Sequence, residues 1–382
     1  MMSSELNVLE KVKRTKEIFL SMFKEDGIPV GDLKKAICES YQEQGFDYKT
    51  FDDIPLKEME EAICDCCEAA GLKFDDFDDI LRQLWYNSIH EVILMSGIAG
   101  EGCERIIPTE EKKSLEEIER SIVKRYRKPI WSKFCKAIKE YNLIEEGDKI
   151  AVAISGGKDS LLMAKLFQEL QRHGQTKFEL EFIAMDPGYH PQIKKLHMEN
   201  LEYLNIPAHI YDSGIFEVVD RMAKDYPCYL CARMRRGSLY AKAKELGCNK
   251  LALGHHFNDV IETTLLNVLY AGNFKTMLPK LKAKNFEGLE LIRPMYFIEE
   301  EAIRRFINYS GIWPLNCACM IAAKKVGNKR YEIKELIKNL KVNFRDVDKS
   351  IFKAAENVAM DSILGWEKGN EKHSFLDYYD EE

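Results

Sequence analysis

The fold is decided by one stretch of sequence, which reads Lys149-Ile150-Ala151-Val152-Ala153-Ile154-Ser155-Gly156-Gly157-Lys158-Asp159-Ser160. Its first half is a short apolar run of the kind that forms a buried parallel strand. Its second half is a glycine-rich turn, and a helical pattern over residues 161–171 follows directly. A strand that passes through such a turn into a helix predicts the beginning of a parallel α/β sheet.

Four further apolar runs follow this stretch, with helical patterns between them. They cover residues 180–185, 208–211, 250–253 and 289–292. Together with residues 150–154 they predict an α/β fold with a doubly wound, parallel, five-stranded sheet. Ligands of such sheets bind at the carboxyl ends of the strands, so the loop after each run is where we expect the chemistry.

Length and charge predict how the chain is divided. With 382 residues it exceeds the roughly 250–300 that one hydrophobic core serves. Residues 1–120 carry 15 Lys and Arg against 28 Asp and Glu, residues 121–360 carry 39 against 28, and the last 22 carry 2 against 7. We expect an acidic helical domain of unassigned role at 1–115, the α/β domain at 116–345, and a C-terminal helix with an acidic tail at 346–382. The basic body is compatible with a polyanionic partner.

Composition excludes several classes of protein. No apolar run approaches the roughly 18 residues of a membrane span, and the first residues lack the pattern of a signal peptide. Eleven cysteines are an odd number, which makes a disulfide framework the poorer explanation. We therefore expect a cytoplasmic protein without a membrane contact, whose cysteines ligate metal or are buried thiols.

The glycine-rich turn is suited to an anion. Paired glycines let backbone amides approach it, the helix N-terminus adds partial positive charge, and Ser155 and Ser160 offer hydroxyl donors. The turn is not a Walker loop, which needs four residues between its first glycine and the Gly-Lys pair. It predicts a phosphate site, and the alternative is a tight turn with a serine cap.

Two cysteine sites stand far apart in the sequence. The first reads Pro227-Cys228-Tyr229-Leu230-Cys231 and the second Cys317-Ala318-Cys319. A lone Cys-x-x-Cys pair is compatible with zinc, an Fe–S cluster or a redox dithiol. Three thiolates with one open position suit a [4Fe–4S] cluster, because no fourth cysteine or paired histidine completes a closed zinc site. The alternative is buried apolar thiols, which we favour for Cys64, Cys66 and Cys67.

Two more strand ends carry polar side chains. After the fourth strand the sequence reads Leu253-Gly254-His255-His256-Phe257-Asn258-Asp259, where a carboxylate could hold Mg²⁺ or orient a substrate. Paired histidines before a helix more often cap it than bind metal. After the fifth strand, Arg293 is equally suited to contact phosphate or to form a salt bridge.

Taken together, these motifs resemble the tRNA thiolation branch of the PP-loop ATPases, most closely the tRNA 2-thiocytidine synthetase type. The resemblance covers about residues 120–345. Its members cleave ATP between the α and β phosphates to adenylate an oxygen of the substrate. The matching pieces include residues 155–160, Cys228 and Cys231 with Arg233, Arg235, Arg236 and Gly237, Gly254-His255-His256, Lys275, Leu278-Pro279-Lys280, Arg293-Pro294 and the late cysteine.

The resemblance implies an ATP-dependent tRNA sulfurtransferase. It would adenylate a pyrimidine carbonyl, most plausibly of an anticodon-loop cytidine, and insert sulfur through a [4Fe–4S] cluster. The implied cofactors are ATP, Mg²⁺ and that cluster, ligated by Cys228, Cys231 and Cys317, with Cys319 as the alternative third ligand. The implied nucleotide-binding residues are Ala153, Ile154, Ser155, Gly156, Gly157, Lys158, Asp159, Ser160, Met185, Gly254 and His255. The implied catalytic residues are Asp159, Asp186, Arg235 and Asp259.

This sequence departs from the family pattern at two positions. Asn258 stands where members commonly have the first of two aspartates, and the late cysteines are separated by one residue instead of two. The implied partners are tRNA and a sulfur donor such as a cysteine desulfurase; a homodimer and a protein partner for the N-terminal region stay open. Two other readings also stay open: a PP-loop enzyme that adenylates another substrate, and a regulatory Fe–S or zinc protein that binds nucleotide without turnover.

Overall fold

The structure is a computed structural model that divides the chain into two compact units, Met1–Ala99 and Gly100–Glu382. It describes Lys16, Leu20, residues 30–43, residues 48–59 except 56, and residues 108–382 with gaps at 190, 214, 216–226, 316–328, 370, 378 and 380–382. The predicted boundaries at 115 and 345 stay predictions.

In the first unit, helix α1 spans Val30–Glu43, in agreement with the helical pattern predicted there. Ile37 and Cys38 are buried, as are Phe51 and Ile54 of the following turn. The cysteines at 64, 66 and 67 lie outside the described residues.

The second unit is built on a six-stranded sheet with the order β3-β2-β1-β4-β6-β5. All five predicted parallel strands are confirmed. Strand β5 is an additional short edge strand, antiparallel to β6, and its Lys-Leu-Lys sequence is too short and polar to signal a strand. The strands are β1 (Lys149–Ile154), β2 (Glu179–Asp186), β3 (Ala208–Asp212), β4 (Lys250–Ala252), β5 (Lys280–Lys282) and β6 (Glu290–Ile292), and a separate hairpin pairs β7 (Gly365–Lys368) with β8 (Glu371–Ser374).

Helices cover both faces of the sheet. On one face Ile150 and Val152 of β1 pack with Phe167 of the helix that follows, and on the other Ala151 packs with Tyr240. This alternation confirms the doubly wound architecture. The helices of this unit include α2 (Leu115–Val123), α3 (Ser132–Glu140), α4 (Lys158–His173), α5 (Pro191–Tyr203), α6 (Pro227–Glu245), α7 (Phe257–Ala271), α8 (Glu300–Ser310), α9 (Lys329–Asn343) and α10 (Val347–Ala354).

The strand order fixes where a ligand can bind. β1 pairs on one side with β2 and on the other with β4, so the chain reverses its direction of winding beside β1. That reversal opens a crevice at the carboxyl ends of β1 and β4. In the part of the chain that the structure describes, no helix combines the length and apolar character needed to span a bilayer.

The opposite end of the sheet is held by a buried ion pair. Lys250 Nζ lies 2.8 Å from Asp148 Oδ2, and the two side chains are 3% and 5% exposed. Lys250 also donates to the carbonyl of Leu143, while Asp148 accepts from the Glu145 amide and from Asn249 Nδ2. These bonds join the strand ends of β1 and β4 where no chemistry is expected.

Replacing one partner of this pair should destabilise the protein strongly. For Asp148→Ala we expect a loss of about 3–5 kcal/mol in the free energy of unfolding, because buried Lys250 keeps only its longer contact, 3.9 Å, with Glu290 Oε2. The double variant Asp148→Leu with Lys250→Met should recover most of that loss. Urea unfolding measures both, and a single variant within about 1 kcal/mol of the parent would contradict this role.

Candidate active site

The glycine-rich turn after β1 has the backbone of a rigid cradle. Gly156 has a φ of +79°, in the left-handed region that side chains other than glycine disfavour. Ser160 Oγ accepts from the Ser155 amide at 3.2 Å and donates to the Gly157 carbonyl at 2.9 Å. Helix α4 begins directly afterwards, and the first amides of a helix have no partner within it, so the turn is suited to bind an anion.

Gly156 is also a point of close packing. A Cβ atom there would lie 2.5 Å from Leu315 Cδ1 and 3.0 Å from His197 Cδ2. The Leu315 amide donates to the Gly156 carbonyl at 2.9 Å, and Asn200 Nδ2 donates to the Trp313 carbonyl at 2.7 Å. The chain that leads toward the late cysteines is therefore anchored on the turn.

His197 is a residue that sequence reasoning missed. It is 4% exposed, and within the part of the chain that the structure describes its Nε2 has no hydrogen-bond partner. Burial lowers its pKa to about 4, so the imidazole is neutral at pH 7. No motif surrounds this histidine in the sequence, and only the fold brings it from α5 to the turn.

A charged cavity of about 240 Å³ lies beside the turn. Lys158 Nζ is 2.9 Å from Asp159 Oδ2 and 3.2 Å from Glu300 Oε1. Although burial opposes it, Lys158 together with Lys334 holds the pKa of Glu300 well below its usual range. The cavity is lined by Lys158, Asp159, His256, Asp259, Glu262, Glu300, Arg330, Tyr331 and Lys334.

Helix α9 contributes two of the cations in this cavity. Arg330 contacts Asp259 Oδ1 at 2.7 Å and Glu262 Oε2 at 2.9 Å, and Lys334 contacts Glu300 Oε2 at 2.8 Å. The pKa of Asp259 is lowered despite its burial, chiefly by His256 and Arg330. In the sequence, α9 follows directly after residues 316–328, which include the late cysteines.

The donor set of the cavity fits a cation. Asp159 Oδ1 is buried and has no hydrogen-bond partner among the described residues, and His256 Nε2 lies 3.7 Å from it. Among the described residues, no three His, Cys, Asp or Glu side chains converge as a metal site. A Mg²⁺ ion that arrives on a nucleotide needs only one or two protein carboxylates, because phosphates and water supply the other ligands.

The residues that follow β4 and β6 hold the elements around the cavity in position. The His256 side chain accepts from the Asp259 amide at 3.4 Å and caps α7, which confirms the capping prediction. Asn258 Oδ1 accepts from the Glu300 amide at 2.9 Å, so it fixes the start of α8 and thereby Glu300. Buried Arg293 donates to the Leu278 carbonyl and to His255 Nδ1, and burial lowers its pKa to about 10.

The carboxyl end of β2 forms a second wall of the crevice. Asp186 accepts from the Gly188 and Tyr189 amides at 2.9 and 2.8 Å and pairs with Lys194 at 2.8 Å. Opposed by burial, these contacts lower the pKa of Asp186. Through these contacts, Asp186 stabilises the turn after β2.

Other predicted nucleotide-binding residues surround the same strand ends. Ile154 and Met185 are buried at the ends of β1 and β2, and Ala153 is half-buried. A Cβ atom on Gly254 would lie 3.3 Å from the Asp159 backbone, so the loop after β4 packs closely on the turn. His255 is half-buried beside it, and burial lowers its pKa to about 4.

The predicted cluster ligands are described only in part. Cys228 and Cys231 occupy neighbouring positions in the first turn of α6, but their side chains lie outside the described residues. Cys317 and Cys319 lie outside them altogether. Arg235 is half-buried one turn after Cys231.

Comparison with known proteins agrees with this architecture. A PP-loop domain family matches residues 126–313. The tRNA-cytidine(32) 2-sulfurtransferase of Geobacter metallireducens is 36% identical over 244 residues, 63% of this chain and 93% of the relative. That of Geotalea uraniireducens is 40% identical over 227 residues, 58% and 88% of the two chains. A solved U34-tRNA thiolase NcsA from Methanococcus maripaludis, with its [4Fe-4S] cluster, is 22% identical with a TM-score of 0.49, over 63% of this chain and 84% of that one.

Gly156→Ala should loosen the contact between the turn and Leu315. The new methyl group would meet Leu315 at 2.5 Å in a left-handed backbone that costs an L-residue about 1–2 kcal/mol. We expect faster hydrogen exchange at the Leu315 amide and a lower melting temperature. Gly157→Ala is the matched control, since its Cβ has only ordinary contacts at 3.5 and 3.6 Å. Equal exchange in both variants would contradict the packing argument.

Protonation of His197 should weaken the fold below neutral pH. Its folded pKa of about 4 lies below the usual 6.5, so only the unfolded state binds the proton between these values. Its contribution is complete above pH 6.5 and falls as the pH drops toward 4, by up to about 1.4 kcal/mol per pH unit. His197→Gln should flatten the stability profile measured by urea unfolding, while exposed His173→Gln should not. An unchanged slope in His197→Gln would refute this assignment.

Proposed function

Since the chain belongs to the PP-loop family of the tRNA-cytidine(32) 2-sulfurtransferases, we propose that it is an ATP-dependent tRNA sulfurtransferase that thiolates a cytidine. One observation carries the proposal beyond family membership. The Leu315 amide is hydrogen-bonded to the carbonyl of Gly156, in the centre of the phosphate-binding turn. Cys317 follows Leu315 by two positions in the sequence.

ATP is the substrate that the turn suits. The Ser160 hydroxyl fixes the turn, Gly156 keeps its centre free of a side chain, and α4 directs its first amides toward the same place. Lys158 and Arg330 are the cations nearest to the departing diphosphate, and Asp159 with Asp259 is suited to hold Mg²⁺ on it. Ala153, Ile154 and Met185 are suited to the adenine.

The cluster proposal rests on the cysteine pattern. Positions 228 and 231 are adjacent on the first turn of α6, which is the spacing at which two side chains of one helix reach a common ligand. Cys317, or Cys319 in its place, supplies the third thiolate. A [4Fe–4S] cluster with one iron free of protein ligands would hold the sulfide that is transferred. Arg235, one turn beyond Cys231, is placed to bind a phosphate or the base.

The order of events follows from the leaving group. Oxygen leaves a pyrimidine carbon poorly as hydroxide, so the carbonyl oxygen first attacks the α-phosphorus of ATP and diphosphate departs. Sulfur then replaces the oxygen on carbon, and the oxygen leaves as AMP. The charges on Lys158 and Arg330 stabilise the diphosphate in the first step. His197 is neutral, and Asp186 accepts from the Gly188 amide. Both hold the shape of the crevice, and neither adds an acid that would protonate the reacting groups.

The partners follow from the same proposal. A tRNA with a cytidine in its anticodon loop is the acceptor, and a cysteine desulfurase is a fitting sulfur donor. Both act in the cytoplasm, where thiols remain reduced. The basic middle of the chain supports a polyanionic acceptor.

Two substitutions should separate the activation by ATP from the transfer of sulfur. Cys228→Ala should abolish the visible absorbance of the cluster and the sulfur transfer while ATP still binds. Asp159→Ala should spare the cluster and reduce AMP formation on the order of 100-fold, because it removes a carboxylate proposed to hold Mg²⁺ on the diphosphate. Absorbance after anaerobic reconstitution and thin-layer assay of AMP measure the two effects.

Cys135→Ala is the control for loss of a thiol, because Cys135 is half-buried on α3. It should leave absorbance, AMP formation and sulfur transfer unchanged. Full sulfur transfer by Cys228→Ala would overturn the cluster proposal and leave only the nucleotide site.

A further inference from the structure

We propose that a second cavity binds backbone phosphates of the tRNA. The inference rests on the proposed function and deepens it. The cavity has a volume of about 490 Å³, and three arginines line it, Arg125, Arg304 and Arg305. Glu110, Tyr126 and Asn308 complete most of its wall. We call it the arginine cavity.

Hydrogen bonds hold the wall of the arginine cavity in place. Tyr126 OH donates to the Arg305 carbonyl at 2.8 Å, and its ring packs edge-on against Phe306. Asn308 Oδ1 accepts from the Thr109 amide at 2.7 Å. A half-buried hydrogen bond from Tyr126 and an exposed one from Thr109 thus join three segments of the chain, so the cavity exists before a ligand arrives.

The positive charge of the cavity is only partly neutralised. Arg125 lies 4.5 Å from the Tyr309 ring centroid, and in the described part of the chain no carboxylate lies within ion-pair distance of it. Arg305 reaches Glu301 at 3.7 Å, but both side chains are more than 60% exposed, and such pairs contribute little. Exposed Glu110 is the acidic residue of the wall.

Arg304 connects the arginine cavity to the phosphate-binding turn. Its Nη2 lies 3.4 Å from Glu300 Oε1, and Lys158 Nζ lies 3.2 Å from the same oxygen. Lys334 holds the other oxygen of Glu300. Arg304 and Lys158 share this one carboxylate oxygen, so a ligand in the arginine cavity lies one shared ion pair away from Lys158.

Phosphate is the ligand that this arrangement fits. Guanidinium groups form paired hydrogen bonds with phosphate oxygens and stack on aromatic rings, as Arg125 does on Tyr309. When a base is adenylated beside Lys158, the sugar-phosphate backbone of the same tRNA must be bound nearby. The exposed Lys124, Arg127 and Lys128 extend the basic surface from the arginine cavity, which suits a polynucleotide rather than a single small anion.

The test measures tRNA binding by the full-length protein as a function of salt. Arg125→Gln and Arg305→Gln should each reduce the slope of log K against log salt by about one, and the double variant by about two. At low salt each should weaken binding roughly tenfold, while ATP binding stays as in the parent. Filter binding of bulk tRNA at about 50–300 mM KCl gives these values.

Two matched variants show whether a change in tRNA binding comes from the arginine cavity. Lys338→Gln removes a cation that is 74% exposed on α9, and it should leave the slope unchanged. Glu301→Gln removes the counter-charge of Arg305 and should tighten binding. Melting temperatures of all variants should agree with that of the parent, since the removed side chains are exposed.

The outcomes separate this inference from the proposed function. If the parent binds tRNA and both arginine variants keep its slope, the arginine cavity is not the phosphate site, although the enzyme still acts on tRNA. If the parent does not bind tRNA, both proposals fail. If an acidic peptide competes with tRNA only in the parent and the slope is unchanged, the cavity binds a protein instead.

Discussion

The hydrogen bond from the Leu315 amide to the Gly156 carbonyl joins the phosphate-binding turn to the chain that leads to the late cysteines. The bond can form because Gly156 has no side chain and adopts a left-handed backbone. Any larger residue would occupy the space of Leu315 and His197. The proposed chemistry depends on this contact, since sulfur transfer requires that the activated base and the sulfur ligands lie in one crevice.

Charged side chains determine the arrangement of the crevice as strongly as the backbone conformation does. Lys158, Arg330 and Lys334 face Asp159, Asp259, Glu262 and Glu300 across one cavity. The ion pairs keep Asp259 and Glu300 ionised even though both are buried. An incoming magnesium nucleotide could exchange partners with these groups, because its phosphates suit the cations and its metal suits the orphan oxygen of Asp159. Helix α9 takes part directly, because Arg330 and Lys334 line the cavity.

Local signals predicted a large share of this architecture. The five parallel strands were visible as apolar runs, and the cap at His256 followed from a histidine before a helix. Strand β5 was missed because three residues carry too weak a pattern. Glu300 and His197 were missed because their roles depend on contacts with residues about 40 or more positions away, such as Asn258 for Glu300 and Gly156 for His197, and no motif surrounds them. Asn258 was noted as a missing acid, yet its amide oxygen holds the Glu300 amide and so orients another carboxylate.

The most direct test of the central claim is mass spectrometry of the nucleosides in bulk tRNA, after anaerobic incubation with the reconstituted protein, ATP and sulfide. The account predicts 2-thiocytidine that appears only when both ATP and the cluster are present, in amounts that match the AMP formed. AMP without any thionucleoside would contradict it, since the turn would then activate a substrate that never meets the sulfur.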